Sequence, residues 1–199
     1  MITVGLTGVL ASGKTETVKL FQKHGAKIFD ADKAAKRLLQ KGRPLQKAVV
    51  KIFGRRFLQK NGELDRKKLA AYVFGRPMEL KKLNILTHPG VIFEILQFVK
   101  RHRRQEGLLV LDVPLLFESK MEKLVDFTVV VSSPKRKIFS RAARRGLSPA
   151  LTRKILSAQW PLRKKEKTAD FVIRNEGNLN DLKREVRRVF EEITHINEM

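Results

Sequence analysis

Apolar positions in this chain of 199 residues follow two alternating periods. Short runs rich in β-branched residues, at Ile2 to Thr7, Ala26 to Asp30, Leu108 to Val113, Phe127 to Val131 and Phe171 to Ile173, predict five strands. Between them, apolar residues three and four apart predict helices, the first over Lys14 to His24 with Val18, Leu20 and Phe21. Strands that are apolar throughout and separated by helices imply an α/β fold, a five-stranded parallel sheet covered on both faces.

The stretch between the second and third strands is almost wholly helical in pattern. Pro44 suits the first turn of a helix carrying Ala48, Val49, Ile52 and Phe53. Helical patterns continue over Lys67 to Phe74, Glu79 to Thr87 and Val91 to Arg104, and the His88-Pro89 pair reads as a stop between the last two. A crossover between parallel strands needs only about a dozen residues. Residues 33–105 are therefore expected to form an inserted helical subdomain, with 1–32 and 106–199 forming the core and 133–165 a lid.

Composition narrows the chemistry. The length suits one globular domain with a subdomain, and no run approaches the ~18 apolar residues of a membrane span. The absence of cysteine removes disulfides, thiolate nucleophiles and cysteine-ligated zinc together, and a cytoplasmic location is the default expectation. The 43 Lys and Arg against 20 Asp and Glu give a formal charge of +23, which attracts polyanions of any class. Heavy use of Lys, Arg and Glu also matches thermophile composition, so the charge does not choose a partner.

The strongest chemical signal is "GLTGVLASGKTETV" at Gly5 to Val18. Gly8, four residues, then Gly13, Lys14 and Thr15 satisfy the phosphate-loop pattern, with a strand before and a helix after. Glycines let successive N–H groups turn towards phosphate oxygens, and the helix adds its positive end. Lys14 suits the β and γ phosphates, and the Thr15 hydroxyl suits a magnesium ion. No Asn-Lys-x-Asp sequence for guanine reading occurs in the chain.

Further carboxylates stand at strand ends. Asp30 and Asp32 are two apart, so on an extended chain they face the same way, at the end of the sheet where ligands bind. Asp32 is read either as the base that orients and deprotonates an acceptor hydroxyl or as the cap of a helix beginning at Lys33. Asp112, in "LDVPLLFE", stands where a Walker B carboxylate would meet magnesium. Leu115 to Phe117 form an apolar patch, either a rest for an uncharged ring or part of the core. From Ser133 to Ala169 there are 12 Lys or Arg and one acidic residue. Arg141 and Arg145, four apart, share a helix face from which they could neutralise a transferred phosphoryl group.

These residues carry a resemblance. "GLTG", "SGK", "FDAD", "LDR" at Leu64 to Arg66, "HP" at His88 and Pro89, "DVPLLFE" and "ADFVIRNEG" at Ala169 to Gly177 occur in the order and spacing of the dephospho-coenzyme A kinase family, over nearly the whole chain. The resemblance implies a phosphate-loop kinase core with a helical substrate domain and a mobile lid. It also implies transfer of the ATP γ-phosphate to the ribose 3′-hydroxyl of dephospho-coenzyme A, with magnesium. Carried over, Asp32 is the base, Lys14 the phosphate clamp, and Arg141 and Arg145 the lid arginines. Gly8, Ala11, Ser12, Gly13, Lys14, Thr15, Glu16 and Asn175 would hold ATP, while Thr15 and Asp112 would hold magnesium. Asp32, Arg66, His88 and Leu115 would meet the acceptor.

This loop departs from the family's usual Gly-Gly-Ile-Gly-Ser-Gly-Lys-Ser by carrying Val9, Leu10 and Ala11, and Thr15 for serine. Side chains at Val9 and Ala11 call for backbone angles open to L-residues. Two other readings stand beside the resemblance: a kinase for another nucleoside or nucleotide, and a basic nucleic-acid-binding ATPase. One Trp and one Tyr make a thin surface for stacking bases, which disfavours nucleic acid as a partner.

Overall fold

The computed structural model describes residues 1–196. They divide into two compact units, one of Met1–Asp30 with the residues from Phe98 onward, the other of Ala31–Gln97.

The first unit is built on one parallel sheet in the order β2-β3-β1-β4-β5. The strands are β1 (Ile2–Gly8), β2 (Lys27–Asp30), β3 (Leu108–Asp112), β4 (Phe127–Ser132) and β5 (Phe171–Arg174). All seven residues of β1 are buried, because β1 lies between β3 and β4 in the middle of the sheet. Register aligns Asp30 with Asp112 and Gly8 with Val131, so the carboxylates of β2 and β3 stand level at the carboxyl end. After β1 the chain goes to one edge, returns through β3, and then crosses to β4 on the other side. Such a reversal opens a crevice at the strand ends, where ligands bind.

Helices α1 (Lys14–Lys23) and α9 (Leu179–Ile196) close this core. Leu20 and Phe21 from α1 meet Leu182, Val186, Val189 and Ile193 from α9, together with Val4, Leu6, Val110, Val129 and Val131. The α9 spacing places its four apolar residues on one stripe, and its outer face carries exposed pairs such as Arg187–Glu191 and Arg188–Glu192. Helices α6 (Lys135–Arg144), α7 (Pro149–Ser157) and α8 (Leu162–Thr168) fill the chain between β4 and β5. Ser148 caps α7 by accepting from Leu151 N at 3.2 Å, with Pro149 in the first turn.

The second unit contains α2 (Ala31–Leu38), α3 (Pro44–Phe53), α4 (Arg66–Val73) and most of α5 (Pro77–His102). Val49, Phe53, Phe57, Leu64, Leu69 and Val73 form its own core. A small antiparallel bridge, Leu58 with Leu64, closes the turn before α4.

The sequence expectation fails at Pro89. In place of two helices separated at His88-Pro89 there is one helix of 26 residues with Pro89 inside it. Proline removes one backbone donor and crowds the carbonyl four residues back, here that of Ile85, whose side chain is exposed. Buried Val91 and Ile95 reward continuation of the same apolar face beyond the proline. No helix among the described residues is long and apolar enough to cross a membrane.

Candidate active site

The loop between β1 and α1 turns on its small residues. A Cβ at Gly8 would lie 2.6 Å from Ser12 Oγ and 2.9 Å from the Val131 carbonyl, so β4 leaves no room for a side chain there. Gly13 has φ +106°, and a Cβ on it would meet Asn175 Nδ2 at 1.9 Å. Ala11 has φ +57°, a left-handed conformation that costs an L-residue about 1–2 kcal/mol. Its methyl is buried with Val9 against Ile138 and Ala142 of α6, and Leu10, Phe139, Leu147, Leu156 and Leu162 surround that cluster. The departures at Val9 and Ala11 thus build a small core between the loop and the α6–α8 segment. Ser12 Oγ is buried and has no protein partner among the described residues.

At the start of α1, the Lys14 ammonium pairs with the Asp112 carboxylate at the end of β3. Their side chains are only 17% and 14% exposed, so each partner stands largely out of water. Thr15 is exposed on the first turn, and Glu16 accepts from Lys19 Nζ at 3.1 Å.

Three residues brace the loop from the other side. Asn175, buried just past β5, donates from Nδ2 to the Ser12 carbonyl at 2.8 Å. Arg141 donates from Nη1 to the same carbonyl at 3.1 Å, to Ala11 O at 3.4 Å and to Ser133 Oγ at 3.0 Å. Ser133 Oγ in turn donates to Asn175 O at 3.0 Å. Burial pulls the Arg141 guanidinium below its ordinary value, and the charges of Arg145 and Arg144 pull in the same direction. A site that concentrates positive charge in this way favours a bound anion.

Six of the expected residues, Gly13, Thr15, Glu16, Arg141, Arg145 and Asn175, line one cavity of about 350 Å³. Its far wall, Gly177 to Leu179 with Leu182, is absent from the sequence expectation. That wall is the start of α9, where Asn178 N donates to Asp181 Oδ2 at 2.7 Å and Asp181 N to Asn178 Oδ1 at 3.2 Å. The Asn-x-x-Asp spacing was the available signal, because it is a reciprocal helix-start pattern. Ser133 carried no pattern of its own.

Asp32 corrects the strand-end argument. β2 stops at Asp30 and α2 begins at Ala31, so Asp32 lies within the first helical turn. It neither extends the strand's alternation nor caps a helix starting at Lys33. Two peptide links nonetheless keep its Cα within about 7.6 Å of that of Asp30.

The remaining expected residues do not line the loop's cavity. In the second unit, Arg66 is exposed at the start of α4, capped by Asp65, whose Oδ1 accepts from Lys68 N at 2.9 Å. Arg66 lines a cavity of about 740 Å³ with Lys33, Lys36, Arg37, Lys41 and Lys67, against Glu63 and Asp65. His88 does not line it; it sits half-buried in α5, where burial lowers its pKa from 6.5. Leu115 is half-buried in the first unit, while Leu116 and Phe117 beside it are core.

A magnesium ion in a phosphate-loop site uses one or two protein oxygens, phosphate oxygens and several waters. The Thr15 hydroxyl and Asp112 carboxylate fit that donor set, and the Lys14 ammonium already sets a positive group against Asp112. Among the described residues no cluster of three or more acidic, His or Cys side chains is present, and this ion does not require one.

The chain is similar to known proteins along nearly its whole length. The family model described as CoaE, dephospho-CoA kinase, matches residues 2–181. A dephospho-CoA kinase of Carboxydothermus hydrogenoformans is 40% identical over 193 residues, covering 94% of this chain and 92% of that protein. A crystal structure from Thermus thermophilus superposes with a TM-score of 0.80 at 32% identity, covering 96% of this chain and 97% of that one. The dephospho-CoA kinase from Campylobacter jejuni superposes with a TM-score of 0.71 at 28% identity, with 98% of each chain covered.

Proposed function

Because the chain belongs to the dephospho-CoA kinase family, we propose that it transfers the γ-phosphoryl group of ATP to the ribose 3′-hydroxyl of dephospho-coenzyme A, releasing coenzyme A and ADP. The observation that carries the reading is the Lys14–Asp112 pair, set at the carboxyl end of the sheet by a loop whose Gly13 is left-handed and pressed by Asn175.

Backbone N–H groups of the loop and the start of α1 bind the phosphates, since unpaired amide donors and the helix end favour anions. Lys14 takes the β and γ oxygens and leaves Asp112 as the nucleotide enters. Thr15 and Asp112 would hold magnesium, which when bound would supply positive charge to the donor's phosphate oxygens. Arg141 and Arg145 face the cavity beside Gly13 and counter the charge spread over the transferred group. Asn175 and the start of α9 border the donor's far end.

Asp32 orients the acceptor and accepts its proton as the 3′-oxygen bonds to phosphorus. The bond from phosphorus to the β–γ bridging oxygen breaks, and ADP leaves with those electrons. Support for Asp32 is its covalent reach from Asp30, whose register partner is Asp112. The basic cavity of Arg66, Lys36 and Lys41 gives the helical unit a surface suited to the acceptor's diphosphate. Reaction in the cytoplasm is part of the same proposal.

A product assay tests the reading. Purified protein with ATP and magnesium is given dephospho-coenzyme A, adenosine or AMP, and 3′-phosphorylation of the first alone is expected. Phosphorylation of adenosine or AMP instead would assign the chain another acceptor.

A further inference from the structure

A lysine that no solvent reaches holds the turn following Asp112. Lys165 of α8 has a side chain 0% exposed. Its Nζ donates to the Pro114 carbonyl at 3.1 Å and to Glu118 Oε2 at 3.1 Å, and stands 2.9 Å from Glu118 Oε1. Pro114 O also accepts from Thr7 Oγ1 at 2.9 Å, and Glu118 Oε1 from Trp160 N at 2.7 Å. One carbonyl and one carboxylate therefore join the end of β1, the turn after β3 and the start of α8.

The surroundings seal this junction and extend it. Trp160 stacks on Phe117 with ring centres 5.8 Å apart and planes at 14°, and the Lys164 ammonium lies 3.6 Å from the centre of its ring. Gln159 Oε1 accepts from Leu10 N at 3.0 Å, so the same connection also grips the phosphate loop. Burial pulls the Lys165 pKa down, and the Glu118 carboxylate opposes that pull.

An ion pair out of water is a poor source of stability, since desolvation offsets its attraction and an apolar replacement often serves as well. What such a pair supplies is a fixed geometry. Only Val113, whose N donates to Leu6 O at 3.0 Å, separates Pro114 from Asp112. Slack in the turn would reach the carboxylate that faces Lys14.

We propose that Lys165, with Glu118, is a positioning residue for phosphoryl transfer: it fixes the turn at 113–118 and through it the Asp112 carboxylate. This inference rests on the roles given above to Asp112 and Lys14. Partners that orient a metal-binding group from behind commonly affect metal affinity or activity 10–100-fold when removed.

The test compares Lys165→Met, Glu118→Gln, the double variant and Asp112→Asn with wild-type protein. Four quantities are measured: melting temperature, kcat with dephospho-coenzyme A, KM for ATP, and the magnesium concentration that half-saturates ATP binding. The last is followed by emission of Trp160, the single tryptophan of the chain. The double variant removes both charges, and is expected to melt near wild type while kcat falls at least about tenfold and the magnesium requirement rises about tenfold. KM for ATP should stay within about twofold, because the loop's phosphate contacts are intact.

A double variant with wild-type kcat and magnesium dependence, beside an impaired Asp112→Asn, overturns the positioning role and leaves the function standing. A normal Asp112→Asn variant overturns the role of Asp112 itself, and with it this inference. If removal of the lysine prevents folding, Glu118→Asp decides by the same measurements, since it keeps the charge that Lys165 needs and changes only its reach.

Discussion

Asn175 lies against the phosphate loop at its tightest point. Its Nδ2 donates to the Ser12 carbonyl at 2.8 Å and fills the space where a Cβ of Gly13 would stand. Asn175→Ala removes one of two side-chain donors to a buried carbonyl that Arg141 also serves, and a typical hydrogen bond contributes about 0.5–1.5 kcal/mol. The Kd for ATP should rise about tenfold, which is near 1.4 kcal/mol. Calorimetric titration with ATP checks this, and an unchanged Kd would remove Asn175 from the donor site.

Lys14→Met takes away the cation expected to meet the β and γ phosphates and the observed partner of Asp112. Loss of one preorganised electrostatic contact to a developing charge costs about 100–1,000-fold in kcat. Steady-state kinetics should show this loss beside a lowered melting temperature, because Asp112 stays largely out of water without that cation. Turnover close to wild type would reject the clamp assignment.

For Asp32→Asn, ATP binding should remain and kcat should fall about 100–10,000-fold, the usual contribution of a positioned base. The amide keeps the shape and the helical position of Asp32. ATP titration and product formation measured on the same sample separate the two effects. Normal turnover would leave Asp32 as no more than an acidic residue on the first turn of α2.

Ala11 adopts φ +57°, and a β-branched side chain tolerates that region worst. Ala11→Val should lower stability by about 1–2 kcal/mol and weaken ATP binding, because the loop must shift to relieve the clash. Denaturant melts give the first number and nucleotide titration the second. An unperturbed variant would show that the cluster with Ile138 and Ala142 yields easily.

His88 supplies a pH signature. Burial holds its imidazole below the ordinary value of 6.5, so the folded chain binds the proton less tightly than the unfolded chain. The contribution to stability is complete above that value and is lost as pH falls through the folded-state pKa. Melting temperature should therefore decline on the acid side of 6.5 less steeply in His88→Leu than in wild type. Parallel declines in the two proteins would assign the acid sensitivity to other groups.

The strands were legible because burial on both faces makes each one a short apolar run, and their ends lie within a residue or so of the expected positions. The loop was legible because Gly8, Gly13 and Lys14 are required by local backbone and charge. Reading failed where a local rule had a tertiary competitor. Pro89 reads as a stop, yet α5 continues through it to bury Val91 and Ile95. As a cap Asp32 reads as preceding a helix from Lys33, yet α2 begins at Ala31. Glu118 and Lys165 lie 47 positions apart, in a segment where lysines are common, and nothing local marks the one that is buried.

By itself the chain determined its α/β alternation, its phosphate loop and the carboxylates at its strand ends, because these depend on periodicity and on residues close in sequence. Tertiary structure alone decided which arginine turns towards the loop, that Asn175 presses on Gly13, and that Lys165 is withdrawn from water behind Asp112. Those outcomes depend on the packing of distant segments, and packing selects one among many chemically similar side chains.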